Sequence, residues 1–160
     1  MDKNETKERI KHVRMIISDF DGVMTDNRVL VDENGVESVF CNRADGLGIE
    51  MLRRKGIDFV VLSKEKNKVV EARCKKLGIK CYSGIDDKKE VFLKIIEEKK
   101  IKNNEVCFVG NDINDLECIK LAYVSIAPSD AHVLVLNQAS YVTKTKGGYG
   151  VIREVADLII

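Results

Sequence analysis

Features of membrane, secreted and nucleic-acid-binding proteins are scarce in this chain of 160 residues. No apolar run is long enough to cross a bilayer, and residues 1–11 are polar and charged, unlike a secretory signal. The 27 basic and 26 acidic residues leave a net charge of +1, so nothing indicates binding to nucleic acid or to an anionic membrane. We therefore expect a cytoplasmic protein.

Cysteine and histidine patterns typical of disulfide frameworks or zinc sites are also absent. The five cysteines form no Cys-x-x-Cys pair, and their odd number favours reduced thiols that pack in the core. No metal-ligand spacing joins the two histidines, His12 and His132. The sequence has one proline and no repeat, low-complexity tract or internal linker, so one domain over residues 1–160 is expected.

What the sequence does contain is an alternation of short apolar segments with amphipathic ones. The pattern predicts buried strands over residues 13–18, 57–62, 79–82, 106–109, 123–126 and 141–143. It predicts helices over residues 47–55, 67–77, 87–100, 131–136 and 151–159, and another after residue 109 with Ile113, Leu116 and Ile119 on one face. Such alternation is typical of an α/β fold, in which helices cover both faces of a mostly parallel, Rossmann-like sheet.

The most informative segment, DFDGVMTD at residues 19–26, follows the first predicted strand. Alternate residues of an extended chain point to the same side, so Asp19 and Asp21 can meet at one place. Two adjacent carboxylates repel each other unless a cation or a shared proton relieves them. Oxygen ligands with room for phosphate favour Mg²⁺, so the pair indicates a magnesium site. The alternative for this pair is a structural turn or cap.

Further polar residues are expected at the same edge of the sheet, because the carboxyl ends of parallel strands lie together. One follows the second predicted strand, one opens a helix, and three follow a later strand: Ser63, Lys88, Asn111, Asp112 and Asp115. Taken alone, Ser63 is a loop or cap serine and Lys88 a solvated lysine, with Lys89 as an alternative partner for the site. Their order along the chain is what makes them a candidate site.

Together these residues resemble the four motifs of the haloacid dehalogenase superfamily phosphatases. Residues 19–26 resemble motif one, Ser63 motif two, Lys88 motif three and residues 110–115 motif four. The resemblance implies that Asp19 attacks phosphorus and forms an aspartyl-phosphate, and that Asp21 serves as general acid and then as general base. It also implies that Ser63 and Lys88 hold phosphate oxygens.

The same resemblance implies Mg²⁺ bound by a carboxylate oxygen of Asp19, the backbone carbonyl of Asp21 and a side chain of motif four. Motif four departs from its commonest form, because Asn111 stands where aspartate is usual. An amide oxygen can still ligate Mg²⁺, although one negative charge is lost. We expect Asn111 to be the direct ligand and Asp112 and Asp115 to support it or to bind through water, a division that the sequence leaves open.

Within the superfamily the chain is most similar to the capless sugar-acid phosphatases, which act on 3-deoxy-octulosonate 8-phosphate or on nine-carbon, sialic-type acids. The similarity extends to residues 43–48, 63–67 and 146–154. Between motif one and the next helix there is only a small hairpin, over residues 28–31 and 36–41, with Asn34-Gly35 as its turn. No cap domain is therefore expected. The resemblance implies a homotetramer whose sites lie near subunit boundaries.

Glu65 bears on which sugar acid is used. The octulosonate enzymes typically carry an arginine shortly after motif two, whereas this chain has Glu65, as in the nine-carbon group. Glu65 could accept hydrogen bonds from substrate hydroxyls, so a nonulosonate 9-phosphate is favoured and octulosonate 8-phosphate is the alternative. Equally, Glu65 could be a solvated acid at a helix start. Lys66, Arg43 and Arg153 are candidates for the sugar carboxylate, and glycines 147, 148 and 150 form either a turn or a tail that reaches a neighbouring site.

Two other functions compete with this interpretation. A phospho-receiver domain is also α/β, but its phosphorylated aspartate follows a mid-chain strand, where this sequence has Ser63. A non-catalytic partner of a cytidylyltransferase is the second alternative, suggested by the amide at Asn111. Because both the expected nucleophile, Asp19, and the expected acid, Asp21, are present, an enzyme is the favoured reading.

Overall fold

Six of the strands form one parallel sheet in the computed structural model, which describes residues 3–160, with side-chain surroundings from residue 5 onward. In chain order the strands are β1 (Met15–Ser18), β2 (Leu30–Val31), β3 (Glu37–Ser38), β4 (Asp58–Leu62), β5 (Lys80–Tyr82), β6 (Val106–Val109), β7 (Val124–Ala127) and β8 (Tyr141–Val142). The sheet order is β5-β4-β1-β6-β7-β8, with every neighbouring pair parallel. This doubly wound order confirms the predicted Rossmann-like α/β fold.

The helices begin and end largely where capping residues predict. They are α1 (Lys3–Ile10), α2 (Arg43–Arg54), α3 (Lys68–Leu77), α4 (Lys88–Lys99), α5 (Leu116–Leu121), α6 (Val133–Leu136) and α7 (Val151–Ile159). Asn67 caps α3 by accepting the N–H of Val69, and Asp87 caps α4 by accepting that of Glu90. No helix within residues 3–160 is both long and apolar enough to cross a membrane.

Apolar side chains of the sheet divide between two clusters, one on each face. Ile16 of β1 belongs to the cluster under α2 and α7, while its neighbours Met15 and Ile17 belong to the cluster under α4 and α5. All four residues of β1 and of β6 are buried, as expected for central strands of a parallel sheet. In the second cluster Phe92 and Phe108 pack edge to face, with ring centroids 5.9 Å apart.

One helix was not predicted, and two local predictions were wrong. The helix α1 was not expected, because its residues lack an apolar stripe; long-range contacts hold it, including a hydrogen bond from Thr6 Oγ1 to the carbonyl of Ser140. Helix α2 begins at residue 43 rather than 47, because Asn42 accepts the N–H of Ala44 and caps it there. Ile113 is 58% exposed in a short 3₁₀ turn, Ile113–Asp115, and therefore does not face the core with Ile119.

The predicted hairpin is present but shorter than expected, since β2 and β3 contribute two residues each. Asp32 stabilises its turn, where Oδ1 accepts the N–H groups of Asn34 and Val36. Between β1 and α2 the described chain holds only this hairpin. Its apolar side chains are exposed, up to 74% for Phe40; the set is Val29, Leu30, Val31, Val36 and Phe40.

Candidate active site

The strand order reverses between β1 and β6, and the candidate residues lie at that point. Asp19 follows β1, Asn111 lies two residues beyond β6, and Ser63 follows β4 on the other side of β1. The backbone N–H of Asp19 donates to the carbonyl of Val109, so motifs one and four leave the sheet side by side. Ligands bind at such reversals in open α/β sheets, because two loops diverge there and leave a crevice.

A buried lysine joins two carboxylates at the floor of the site. Lys88 is 3% exposed, and its Nζ lies 2.7 Å from Asp19 Oδ2 and 2.7 Å from Asp115 Oδ1. Burial raises the pKa of Asp19, helped by the charge of Asp115 and opposed by Lys88. Burial lowers the pKa of Lys88, but the two carboxylates outweigh it and hold that pKa above its usual value. Lys88 is therefore a fixed cation beside the expected nucleophile.

Asp115 organises the loop of motif four. Its Oδ2 accepts the N–H of Asn111 at 2.9 Å and that of Asp112 at 3.3 Å, while Oδ1 accepts from Lys88. A Cβ at Gly110 would lie 2.7 Å from the Asp115 carboxylate, so only glycine lets the loop close this tightly. Asp115 thus orients both the loop and the lysine.

Asn111 carries an unpartnered acceptor. It is 8% exposed, and among the described residues its buried Oδ1 has no hydrogen-bond partner. The amide fills the space left by the missing side chain of Gly22, whose added Cβ would come within 1.9 Å of Asn111 Nδ2. A buried oxygen without a donor is costly unless something satisfies it, and a hard divalent cation would do so.

The donor set fits Mg²⁺ chemistry, because it consists of oxygens only: the Asp19 carboxylate, the Asp21 carbonyl and the Asn111 amide. Asp112 makes a backbone hydrogen bond instead: its Oδ1 accepts the N–H of Ile113 at 2.7 Å and so caps the 3₁₀ turn. Across residues 3–160 no group of three His, Cys, Asp or Glu side chains could hold a metal. Two of the three ligands proposed from the sequence are an amide and a backbone carbonyl, which such a group does not include.

Asp21 is placed to act as an acid. The hydroxyl of Thr25 donates to Asp21 Oδ1 at 3.2 Å and accepts the N–H of Gly22, also at 3.2 Å. Burial raises the pKa of Asp21, and the carboxylates of Glu65 and Glu37 raise it further. A raised pKa keeps a carboxylic acid protonated closer to neutral pH, as a general acid requires.

Ser63 is buried at the end of β4, where its N–H donates to the carbonyl of Tyr82. Its hydroxyl accepts the N–H of Glu65, and the Glu65 carboxylate accepts the N–H groups of Lys66 and Asn67. Glu65 therefore stabilises its own loop while remaining exposed. Sequence reasoning missed that the hairpin joins this loop: Glu37 accepts a hydrogen bond of 2.7 Å from the Asn67 side chain.

The structure separates the three cationic residues proposed for the sugar carboxylate. Arg43 lines an open cleft of about 550 Å³ beside motif one, together with Arg28 and Tyr149. Arg153 lines a different cleft and donates to the Asp157 carboxylate. Lys66 is exposed above Gly84. Among the three, Arg43 is the one that shares a cleft with motif one.

A second residue that sequence reasoning missed is Asp45, buried in α2. Its Oδ1 accepts the N–H groups of Ile152 and Arg153, although 107 positions separate Asp45 from Ile152. Gly147 and Gly148 form a turn against this chain's own motif one, whereas Gly150 lies near Asn42 and Ala44 at the start of α2. An acidic residue in the first turn of a helix is ordinarily solvated, so the sequence held no signal for this long-range cap.

Comparisons with known proteins find a matching family and similar sequences. A family model described as haloacid dehalogenase-like hydrolase matches residues 79–155. The 3-deoxy-D-manno-octulosonate 8-phosphate phosphatase KdsC of Escherichia coli K12 is 35% identical over 153 residues, which cover 95% of this chain and 81% of that protein.

Solved structures of similar proteins share the fold over nearly the whole chain. The 3-deoxy-D-manno-octulosonate 8-phosphate phosphatase of Moraxella catarrhalis, in complex with a magnesium ion, a phosphate ion and KDO, gives a TM-score of 0.95 at 28% identity, covering 99% of this chain and 91% of that one. The phosphatase of the same name from Yersinia pestis gives a TM-score of 0.94 at 34% identity, covering 98% of this chain and 85% of that one.

Proposed function

This chain belongs to the haloacid dehalogenase-like hydrolases and is a phosphoric monoester hydrolase, and from that membership we propose that it releases phosphate from a sugar-acid phosphate with Mg²⁺. The observation that carries the proposal is the buried group of Asp19, Lys88 and Asp115, joined by two contacts of 2.7 Å. Asn111 stands beside it with an unpartnered Oδ1 among the described residues. Together they offer a nucleophile, a cation for phosphate oxygens and a metal ligand.

In the proposed reaction a carboxylate oxygen of Asp19 attacks phosphorus, and the bond from phosphorus to the sugar oxygen breaks. Asp21 gives its proton to the departing alkoxide, and its raised pKa keeps that proton available. Asp21 then accepts a proton from the water that attacks the aspartyl-phosphate, which returns Asp19 as a carboxylate and frees inorganic phosphate. The same carboxyl group thus ends the cycle protonated, as it began.

Lys88 and Ser63 would hold the phosphoryl oxygens throughout. Lys88 remains a cation because two carboxylates raise its pKa, so it can offset charge that the transition state places on those oxygens. Asp19, the carbonyl of Asp21 and Asn111 would hold Mg²⁺, which when bound supplies further charge compensation at the phosphoryl group.

Phosphate release by the wild-type chain and by Asp19→Asn tests this proposal. We expect release that requires Mg²⁺ and falls at least a thousandfold in the variant, because the amide is a far weaker nucleophile. A folded Asp19→Asn protein that hydrolyses as fast as the wild type would refute the catalytic assignment. Circular dichroism of both proteins is the control for folding.

For the substrate, we favour a nonulosonate 9-phosphate because of Glu65, an exposed carboxylate near enough to Asp21 to raise its pKa. Octulosonate 8-phosphate is the second candidate, favoured by the names of the similar phosphatases. The ratio of kcat/KM for the two compounds decides between them. We expect at least a tenfold preference for the nonulosonate, reduced or reversed in Glu65→Arg and unchanged in the exposed control Glu97→Arg. Equal preference in wild type and Glu65→Arg would remove Glu65 from the specificity argument.

Arg43 is our candidate for the sugar carboxylate, because its cleft borders the motif-one loop. A guanidinium can bind a carboxylate through two parallel hydrogen bonds. Arg43→Gln should therefore raise KM for a sugar-acid phosphate and leave KM for 4-nitrophenyl phosphate, which has no carboxylate, within twofold. An equal change in both KM values would contradict this role.

We also propose a homotetramer with sites near the subunit boundaries. The hairpin has exposed apolar side chains, among them Phe40 and Leu30. Contact of this apolar patch with water is unfavourable, and a second copy of the chain could cover it. Light scattering should give four times the chain mass for the wild type and a smaller mass for Leu30→Asp/Phe40→Asp. Leu93→Asp, at an exposed leucine of α4, is the matched control. A monomeric wild type would refute the tetramer.

A further inference from the structure

Residues 146–150, here called the glycine strap, pass over motif one, and Gly147 and Gly148 lie directly on its backbone. A Cβ at Gly147 would come within 2.2 Å of the carbonyl oxygen of Gly22, and a Cβ at Gly148 within 2.4 Å of the backbone nitrogen of Asp26. The N–H of Gly148 donates to the carbonyl of Val23 at 3.0 Å. Because the two backbones touch without intervening side chains, a shift of the strap would shift motif one.

The part of motif one that the strap touches positions the reacting groups. The Asn111 amide packs against Gly22, and the backbone N–H of Gly22 donates to the Thr25 hydroxyl. Thr25 in turn donates to Asp21 Oδ1. The strap therefore supports, through Gly22 and Thr25, both the expected acid and the expected metal ligand.

A carboxylate outside the site fixes the first end of the strap. Asp130, exposed in the loop between β7 and α6, accepts the N–H of Gly147 on its Oδ1 at 2.9 Å. The neighbouring Ser129 N–H donates to the carbonyl of Thr145 at 3.1 Å, so two consecutive residues of this loop hold the chain entering the strap.

A second carboxylate fixes the other end. Helix α7 starts after Gly150, which has no side chain to cap it, and Asp45 Oδ1 instead accepts the N–H groups of Ile152 at 2.9 Å and Arg153 at 3.1 Å. Asp45 is 1% exposed, and among the described residues its Oδ2 has no hydrogen-bond partner. A carboxylate at a helix N-terminus is favourable, but burying it with one oxygen unpaired is costly. Such a cost is typical of groups retained for function.

We propose that Asp130 and Asp45 are positioning residues for phosphoryl transfer, which act by fixing the two ends of the glycine strap against motif one. This inference rests on the proposed phosphatase function. Neither carboxylate would touch the substrate. Their effect would pass through the strap to Gly22, and from there to Asp21 and Asn111.

The main test uses Asp130, because it is exposed and its loss should leave the fold intact. In Asp130→Ala we expect kcat for 4-nitrophenyl phosphate with Mg²⁺ to fall on the order of tenfold while KM changes less than twofold, since positioning affects the reacting geometry more than binding. Asp130→Asn keeps an oxygen acceptor and should stay within twofold of wild type. Asp58→Ala is the matched control, because Asp58 is exposed, pairs with Lys99 and lies at the first residue of β4, the opposite end of that strand from Ser63.

A second readout does not depend on activity. Amide hydrogen exchange of Met24 and Thr25, whose N–H groups donate to the carbonyl of Phe20, should be at least tenfold faster in Asp130→Ala than in wild type. Folded Asp45→Ala should behave likewise, and Asp45→Asn, which keeps an oxygen acceptor, should stay within twofold of wild type. Wild-type kcat and exchange in Asp45→Ala, or an impaired Asp45→Asn, would remove Asp45 from the proposal. The proposal is overturned if folded Asp130→Ala keeps either the wild-type kcat or the wild-type exchange, or if Asp130→Asn is as impaired as Asp130→Ala. Failure of the phosphatase proposal would look different, because the wild type itself would then release no phosphate.

Discussion

Replacing Lys88 by methionine is the sharpest test of the site, because it removes the one cation between two buried carboxylates. Nζ of Lys88 lies 2.7 Å from both Asp19 and Asp115, and all three side chains are buried. Methionine has nearly the same length and fills the same space, so the variant loses charge without creating a cavity. What remains is a pair of buried carboxyl groups with no cation between them, so that one of them must take up a proton or remain as an unpaired buried charge.

Lys88→Met should lose a large part of the free energy of unfolding. Removing one partner of a buried ion pair costs about 3–5 kcal/mol, whereas a domain of this size has a free energy of unfolding of about 5–15 kcal/mol. The loss should depend on pH, because burial and Asp115 already raise the pKa of Asp19 to about 8. A folded-state pKa above the unfolded value means that the native state holds more protons, so stability falls as pH rises through that window. Lys88→Met raises the pKa of Asp19 further. The loss in free energy of unfolding relative to wild type should therefore be greater at pH 8 than at pH 5.

Urea unfolding in EDTA at pH 5 and pH 8 measures this loss, and phosphate release measures activity. Lys89→Met is the matched control, since Lys89 is adjacent and exposed, with its Nζ 4.0 Å from Glu117. We expect it to change stability by no more than about 0.5 kcal/mol. A Lys88→Met protein that unfolds with the wild-type free energy at pH 8 would contradict a buried ion pair at this position. Loss of activity in Lys89→Met but not in Lys88→Met would contradict the role of Lys88.

Two further predictions concern Asn111 and Asp45. Asn111→Asp should bind Mg²⁺ more tightly than wild type in a titration followed by calorimetry, because it adds a negative charge next to Asp19; unchanged or weaker binding would contradict Asn111 as a ligand. Burial raises the pKa of Asp45 to about 6, outweighing the N–H groups that lower it, so this residue should reduce stability by on the order of 3 kcal/mol as pH rises from 4 to 7. Asp45→Asn should remove that part of the pH dependence in urea unfolding, and an unaltered profile would show that Asp45 does not titrate in this range.

The convergence of Asp19, Ser63 and Asn111 could be predicted from the sequence because each of them follows a strand. Once the strands before Asp19, Ser63 and Asn111 are recognised as parallel neighbours, their carboxyl ends must meet at one edge. Capping residues such as Asn67 and Gly78 likewise mark the ends of α3 within a few residues. In both cases the signal is local, so a single sequence contains it.

Features that depend on distant contacts could not be predicted in this way. Helix α1 has no apolar stripe of its own and is held partly by contacts to β7 and to the carbonyl of Ser140. Ile113 fits a helical spacing, but Asp112 caps a 3₁₀ turn there and rotates Ile113 into solvent. The bond from Ile152 to Asp45 spans 107 positions, and no property of either residue indicates the other. Tertiary contacts decide each of these cases.

The charge balance of the buried site favours an amide, rather than a carboxylate, at position 111. When Asp19 is ionised, Asp19 and Asp115 carry two negative charges against the one positive charge of Lys88, and burial together with this imbalance raises the pKa of Asp19 to about 8. An aspartate at 111 would bury a further charge next to Gly22, in a space that holds the amide within van der Waals contact. Asn111 supplies the same oxygen without that charge, and so lowers the cost of folding without metal at the expense of metal affinity. It follows that Asn111→Asp should unfold more easily than wild type in EDTA and gain more stability than wild type from added Mg²⁺.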